Sequence, residues 1–182
     1  YQVIAIDQLA HGKSKGKRTN IIDFVNVMKL VLEKFKTIEG VIAHSMGGVA
    51  TLLALREETS IKNFVCISAP TLSDKILNSF KQRIKASDKV ISNIKDYVQN
   101  RYEVDFKDFF LPAFQEELPK IDTLIIHDTD DSDVSIEDAK VFNKLLPHSE
   151  LLITEKLGHT RILRNEKVII STVSFLTKKN LN

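Results

Sequence analysis

Several residue types are scarce in this 182-residue sequence, and each scarcity excludes a class of protein. A single cysteine, Cys66, excludes a disulfide-stabilised scaffold and suits a reducing compartment such as the cytoplasm. No apolar run reaches the roughly 18–20 residues that a membrane-spanning helix needs. The net charge is only +2, so the basic field typical of nucleic-acid-binding proteins is absent. With 43% hydrophobic and 27% charged residues, the composition instead indicates an ordinary folded chain, of a length that suits one domain.

Short apolar, β-branched runs alternate with helical patterns along the chain. Nearly continuous apolarity is typical of strands that are covered on both faces, and alternation with helices is typical of a parallel sheet. The sequence therefore predicts an α/β protein with helices on both faces of a mostly parallel sheet. The predicted strands are Val3–Ile6, Gly40–Ala43, Asn63–Ile67, Thr123–His127 and Leu151–Thr154.

The helical patterns carry recognisable start signals. Asn20 can cap the first helix, with Asp23 in its first turn, and Ser135 opens a Ser-x-x-Asp pattern that resembles a capping box. Four helices are predicted outside the long interval between the third and fourth predicted strands: Ile21–Phe35, Met46–Arg56, Ser135–Leu146 and Asn165–Lys178.

The interval from Ala69 to Lys120 contains no convincing strand. It predicts two or three helices, at about 72–86, 88–100 and 105–117, inserted between two strands of a single domain that spans residues 1–182. Such an insertion, at about 70–120, would cover one end of the sheet as a small cap. Four phenylalanines cluster late in this interval and suit either core packing or the wall of an apolar pocket: Phe106, Phe109, Phe110 and Phe114.

Ser45 lies where a strand is predicted to turn directly into a helix, in the sequence Ala43-His44-Ser45-Met46-Gly47-Gly48. A nucleophile elbow has this form, because a sharp turn exposes the serine hydroxyl and small residues on either side let the strand approach the helix. Gly47 is small, and Ala43 adds only one methyl group where glycine is usual. The N–H of Met46 would point at the site and could bind an oxyanion. The alternative is that Ser45 is an ordinary serine in a strand–helix turn, without a catalytic role.

A serine hydroxyl needs a base, and the base needs an acid that orients it. Two later loops offer them at the carboxyl ends of predicted strands, where such a sheet places its site. One loop holds Asp131 among the rival acids Asp128, Asp130 and Asp133, and the other holds His159. His11 and His44 are expected to line the mouth of the site. A calcium loop starting at Asp128 is disfavoured, because its sixth and twelfth positions are Asp133 and Ala139.

Four segments together resemble the α/β-hydrolase-fold serine hydrolases. Asp7–Ser14 resembles the family's D-x-x-G-H-G-x-S, with Ala10 for glycine, and Ala43–Gly48 resembles its H-S-M-G-G elbow. His127–Ser135 resembles H-G-x-x-D-x-x-V-P, with Asp128 for glycine and Ser135 for proline, and Gly158-His159 resembles its G-H dipeptide. The order Ser, Asp, His is the one that this fold uses. The resemblance favours Asp131 as the acid over its neighbours.

The resemblance implies a Ser45-His159-Asp131 triad that cleaves a small carboxylic ester or a related acyl bond, without a metal or cofactor. An acyltransferase with the same triad and a non-catalytic protein with the same fold are the alternatives. Val3–Ile6 would be the family's fourth strand. We therefore expect that the first strands, and the second oxyanion donor in the loop after the third, precede Tyr1.

Asp7–Ser14 also bears a likeness to a phosphate-binding loop, since it ends in Gly12-Lys13-Ser14. Asp7 stands where that motif needs its first glycine, and no helix is predicted directly after Ser14. Nucleotide binding is therefore disfavoured. The basic stretch Lys13–Arg18 is expected to be a solvated loop.

Overall fold

A four-stranded parallel sheet, in the order β1-β2-β3-β4, forms the centre of the molecule. The computed structural model describes residues 2–35, 37–57 and 61–177. The strands are β1 (Ile38–His44), β2 (Ile61–Ile67), β3 (Asp122–Asp128) and β4 (Ser149–Thr154). Each contains one of the predicted runs, so the predicted parallel α/β architecture is confirmed.

Helices pack on both faces of this sheet. They are α1 (Ile21–Lys34), α2 (Met46–Leu55), α3 (Ser73–Arg83), α4 (Asp88–Tyr102), α5 (Ile136–Leu145), α6 (Gly158–Arg161) and α7 (Glu166–Thr177). Alternate residues of β2 enter different clusters: Phe64 and Cys66 pack with α1, α2 and α5, whereas Val65 and Ile67 pack with α7. A core on both faces explains why the strands are almost wholly apolar. Lys178, the last residue of the predicted final helix, lies outside the described residues.

The start of α1 follows the predicted chemistry. Asn20 Oδ1 accepts the N–H groups of Ile22 and Asp23, and the Asp23 carboxylate accepts the N–H of Asn20 in return. This reciprocal pairing satisfies backbone donors that have no partner within the helix.

The start of α5 differs from the predicted capping box. Ser135 Oγ accepts the N–H of Glu137, but the Asp138 side chain turns away from the cap. Its Oδ1 accepts the N–H groups of Thr71 and Leu72 instead, at 2.8 and 2.9 Å. Burial raises the pKa of Asp138, although these two hydrogen bonds act to lower it. Asp138 therefore ties α5 to the loop between β2 and α3.

The long segment between β2 and β3 contains α3 and α4 but no third α-helix. The predicted helix at 105–117 is wrong: three short 3₁₀ turns occupy it, at Phe106–Phe109, Leu111–Ala113 and Gln115–Glu117. Pro112 explains the break, because proline lacks an N–H and disfavours α conformation in the residue before it. The turns bury Phe109, Phe110 and Phe114 in the main core.

The predicted strand Val3–Ile6 is wrong. Residues 2–8 form neither helix nor strand, and Val3 is 86% exposed. A strand requires a neighbour for its backbone hydrogen bonds, and no described strand pairs with this segment. Local β propensity is not sufficient without such a partner.

The turns after this segment differ from a phosphate-binding loop. The Asp7 carboxylate accepts the N–H of Lys13, and the Ser14 hydroxyl donates to the Asp7 carbonyl. An acidic side chain therefore takes up a backbone donor that a phosphate would need, and α1 begins only at Ile21.

Gly48, rather than Gly47, is the residue that brings α2 close to the sheet. A Cβ atom at Gly48 would lie 2.7 Å from Ala69 Cβ and 2.8 Å from Cys66 Sγ. A Cβ atom at Gly47 would meet Ala43 Cβ at 4.0 Å, an ordinary contact. Because there is room on this side of the helix, the methyl group of Ala43 is accommodated at a position where glycine is usual.

We expect the two glycines to respond oppositely to alanine. Gly48→Ala should lower the free energy of unfolding by about 1–3 kcal/mol, because the added methyl overlaps two buried atoms. Gly47→Ala should leave it unchanged or raise it by up to about 1 kcal/mol, because alanine favours the helix. Urea unfolding of both variants measures the difference, and equal destabilisation would contradict this account of the packing.

Candidate active site

Ser45 lies in the sharp turn between β1 and α2. Its backbone has φ 53° and ψ −126°, in the region that favours glycine. Two hydrogen bonds hold this conformation: the Ser45 N–H donates to the carbonyl of Ile67, and its carbonyl accepts the N–H of Gly48, both at 2.9 Å. The strand–turn–helix context expected from the sequence is present.

Ser45, His159 and Asp131 lie next to one another although they are far apart in the sequence. His159 Nε2 is 3.0 Å from Ser45 Oγ, and His159 Nδ1 is 2.8 Å from Asp131 Oδ2. Ser45 follows β1, Asp131 follows β3, and His159 follows β4. Parallel strands bring these three loops to one edge of the sheet.

The Asp131 carboxylate is buried and fixed by the backbone. Oδ1 accepts the N–H groups of Asp133 and Val134, both at 2.9 Å, which leaves Oδ2 for His159. Burial by itself would raise the pKa of Asp131, but the hydrogen bonds from His159, Val134 and Asp133 outweigh it and lower that pKa. An ionised carboxylate only accepts, so Nδ1 of His159 carries the proton. In neutral His159, Nε2 is then free to accept the Ser45 hydroxyl proton.

The three rival acids have other partners. Asp130 Oδ2 accepts the N–H of Lys156, and Asp133 forms an ion pair with Arg83 at 2.8 Å. Asp128 is fully buried and accepts hydrogen bonds from the backbone and from Thr154. Of the four carboxylates, Asp131 is the one that the structure brings to the His159 ring.

The other four histidines lie in different surroundings. His44 Nε2 donates to the carbonyl of His159 at 2.8 Å, and the two rings are 4.6 Å apart. Burial lowers the pKa of His44. His127 Nε2 donates to the carbonyl of Val134 and lies 3.6 Å from Asp131 Oδ2. His11 packs edge-on against Phe24 and is exposed, and the exposed His148 follows Pro147.

A cleft of about 560 Å³ opens over Ser45 and His159. Apart from these two residues, its lining consists of Ile76, Ser79, Phe80, Gln82, Arg83, Ser132, Asp133 and Val134. None of the predicted lining residues His11, His44 and Gly47 is among them. The clustered phenylalanines of residues 106–114 are not among them either, whereas Phe80 is. Helix α3 therefore forms one wall, and the loop after β3 forms the other.

The sequence predicts a helical cap that contains Ile76, Phe80 and Arg83, but it does not single out these residues as part of the site. They lie in a helix whose position depends on the long connection between β2 and β3. The Arg83–Asp133 ion pair joins the two walls of the cleft at its rim. Its guanidinium is largely exposed, so the pair adds little stability and can be rearranged by a bound molecule.

Neither a membrane-spanning helix nor a metal cluster is found among the described residues. None of their helices is long and apolar enough to cross a membrane. Among the same residues, His, Cys, Asp and Glu side chains form no group of three or more that could hold a metal ion.

Solved structures from several organisms are similar to this chain. An esterase from Pyrococcus furiosus is 25% identical, with a TM-score of 0.65 over 94% of this chain and 68% of its own. A lipase-esterase related protein from Clostridium acetobutylicum is 20% identical, with a TM-score of 0.65 over 90% and 79%. An esterase from Exiguobacterium antarcticum is also 20% identical, with a TM-score of 0.62 over 93% and 79%.

Comparison of sequences agrees with comparison of folds. The family model described as alpha/beta hydrolase fold matches residues 1–89, which include the Ser45 turn. No curated protein matches the sequence significantly. The parallel sheet, the turn at Ser45 and these matches lead to one conclusion: the chain has the α/β-hydrolase fold.

Proposed function

We propose that this enzyme hydrolyses small carboxylic esters, or related acyl bonds, with Ser45 as nucleophile, His159 as general base and Asp131 as the orienting acid. The observation that carries the proposal is the continuous hydrogen-bond chain Ser45–His159–Asp131 at the floor of the cleft. The esterases with similar structures support the reaction class.

In the first half of the reaction, Ser45 Oγ attacks the ester carbonyl while its proton passes to His159 Nε2. Asp131 stabilises the imidazolium that forms, because its Oδ2 accepts the Nδ1 proton. The tetrahedral intermediate then expels the alcohol, which takes the proton from Nε2. An acyl group remains on Ser45.

In the second half, a water molecule gives its proton to His159 Nε2 and attacks the acyl carbon. Collapse of this second intermediate releases the carboxylic acid and returns the proton to Ser45. The oxyanion that forms in each half needs hydrogen-bond donors in the cleft. Met46 supplies one, because the first N–H groups of α2 have no partner within the helix.

The cleft supports a small substrate of mixed polarity. Its volume, about 560 Å³, falls within the roughly 300–1,000 Å³ of small-molecule sites. Ile76, Phe80 and Val134 offer apolar contact to an acyl or alcohol group. Ser79, Gln82 and Ser132 in the same lining offer hydrogen bonds.

Ser45→Ala should lower kcat/KM for p-nitrophenyl butyrate by about 10⁴-fold or more, because no nucleophile remains beside His159. It should also abolish labelling by a fluorophosphonate probe. Ester hydrolysis measured at 405 nm and mass spectrometry of the labelled protein give the two readouts.

Ser132→Ala is the matched control for labelling. Ser132 lines the same cleft, but its hydroxyl has no histidine beside it in the described contacts. The probe should still label this variant on Ser45. Undiminished labelling of Ser45→Ala would refute the proposed nucleophile.

Asp131→Asn should lower kcat by about 10⁴-fold while the protein stays folded. The N–H groups of Asp133 and Val134 would keep the amide oxygen on their side, so the amide nitrogen would face His159. That nitrogen donates, and Nδ1 would have to accept. The imidazole proton would then be on Nε2, where it cannot take the serine proton.

Asp133→Asn provides the comparison for this variant. Asp133 lies in the same loop but pairs with Arg83 at the rim of the cleft. Steady-state kinetics should show a loss of less than about tenfold for it. Similar losses in the two variants would contradict the assignment of Asp131 as the acid.

A further inference from the structure

Asp128 is a buried acid at the end of β3 with no part in the proposed chemistry. Its side chain is shielded from solvent, three residues before Asp131. The family segment that this loop resembles has glycine at the same position, so the fold itself does not require a carboxylate there. A buried charge costs free energy unless hydrogen bonds satisfy it, so the partners of this carboxylate are structurally important.

The Asp128 carboxylate accepts four hydrogen bonds. Oδ1 accepts the N–H groups of Gly158 at 2.9 Å and of Asp130 at 3.0 Å. Oδ2 accepts the N–H of Leu157 at 3.1 Å and the hydroxyl of Thr154 at 2.7 Å. Burial alone would raise the pKa of Asp128, but these bonds outweigh it and lower that pKa.

Three of the four donors lie in residues 154–158, the segment that leads from β4 to His159. This segment bends sharply, because Lys156 and Gly158 both have left-handed backbones, with φ of 64° and 66°. Such a turn is not set by its own regular hydrogen bonds. Asp128 supplies fixed acceptors for its two consecutive donors, Leu157 and Gly158, directly before the histidine.

The same residue also reaches the turn that carries the acid. Asp130 N–H donates to the Asp128 carboxylate, and Asp131 N–H donates to the Asp128 carbonyl at 3.2 Å. One residue therefore holds the turn of Asp131 and the turn of His159 together. The position of Nδ1 relative to Oδ2 depends on both turns.

We propose that Asp128 is a positioning residue, which fixes the His159 imidazole between Ser45 and Asp131 by hydrogen-bonding the backbone of both turns. The catalytic consequence rests on the proposed function. The geometric part, a fixed His159–Asp131 contact, does not depend on turnover.

Asparagine cannot replace this carboxylate. In either orientation of its amide, the NH₂ group faces a backbone N–H: Leu157 on one side, or Gly158 and Asp130 on the other. Two donors then oppose each other in a buried place, and the segment must move. The imidazole would move with it, and a misplacement of about 1 Å can cost on the order of 10²-fold in rate.

The test compares Asp128→Asn with the wild type by two measurements. With p-nitrophenyl butyrate, kcat should fall about 10–100-fold while KM changes less than about threefold. In ¹H NMR, the far-downfield signal of the proton between His159 and Asp131 should be lost or strongly broadened. A His159→Gln variant identifies that signal.

Asp138→Asn is the matched control. Asp138 is as buried as Asp128 and also accepts two backbone N–H groups, but both go to Oδ1, which asparagine retains. It lies at the start of α5 and does not contact the His159 segment in the described bonds. This variant should keep kcat within about threefold and keep the downfield signal.

Thr154→Val covers the case in which Asp128→Asn does not fold. It removes one of the four donors and leaves the charge in place, so kcat should fall about 3–10-fold with the signal shifted or broadened. The proposal is overturned if folded Asp128→Asn retains wild-type kcat and signal, or if Asp138→Asn loses as much. If Asp128→Asn does not fold, a Thr154→Val variant that keeps the wild-type kcat and NMR signal overturns the proposal. Absence of Ser45-dependent turnover would refute the proposed function, while the NMR comparison would still test the positioning.

Discussion

Buried carboxylates that accept backbone N–H groups determine the arrangement of the loops at the carboxyl edge of the sheet. Asp128 and Asp131 fix the turns after β3 and β4, and Asp138 fixes the loop that leads into α3. Leaving any of these charges unpaired inside the protein would cost several kcal/mol. Each loop is therefore held in one conformation.

The parallel sheet brings the three loops close together, which the carboxylates alone could not do. β1 and β3 both lie beside β2, and β4 lies beyond β3, so Ser45 and His159 approach each other across the ends of the intervening strands. His44 strengthens this approach, because it precedes Ser45 and donates to the carbonyl of His159. The Ser45 loop and the His159 loop thus touch through the backbone as well as through the contact between the two side chains.

Much of this arrangement could be predicted from the sequence, and the failures have physical causes. β-branched runs, caps and the elbow are local signals, so the strands, α1 and the Ser45 turn were predictable. Val3–Ile6 carries the same local signal but has no described strand beside it. The 105–117 interval has helical spacing, but Pro112 breaks it into 3₁₀ turns. The roles of Asp138 and Gly48 depend on contacts with Thr71 and Cys66, which no local pattern encodes.

The backbone strain at Ser45 is maintained because hydrogen bonds and packing hold the turn in this conformation. A left-handed φ costs a non-glycine residue on the order of 1–3 kcal/mol. The Ser45 N–H is anchored on Ile67 and its carbonyl on Gly48, and Gly48 itself lies against Cys66 and Ala69 without room for a side chain. Relaxing the turn would break both hydrogen bonds and open this packing. The Ser45 hydroxyl is thereby held at the cleft, and separate contacts hold His159 beside it, so neither group has to be ordered before the two can meet.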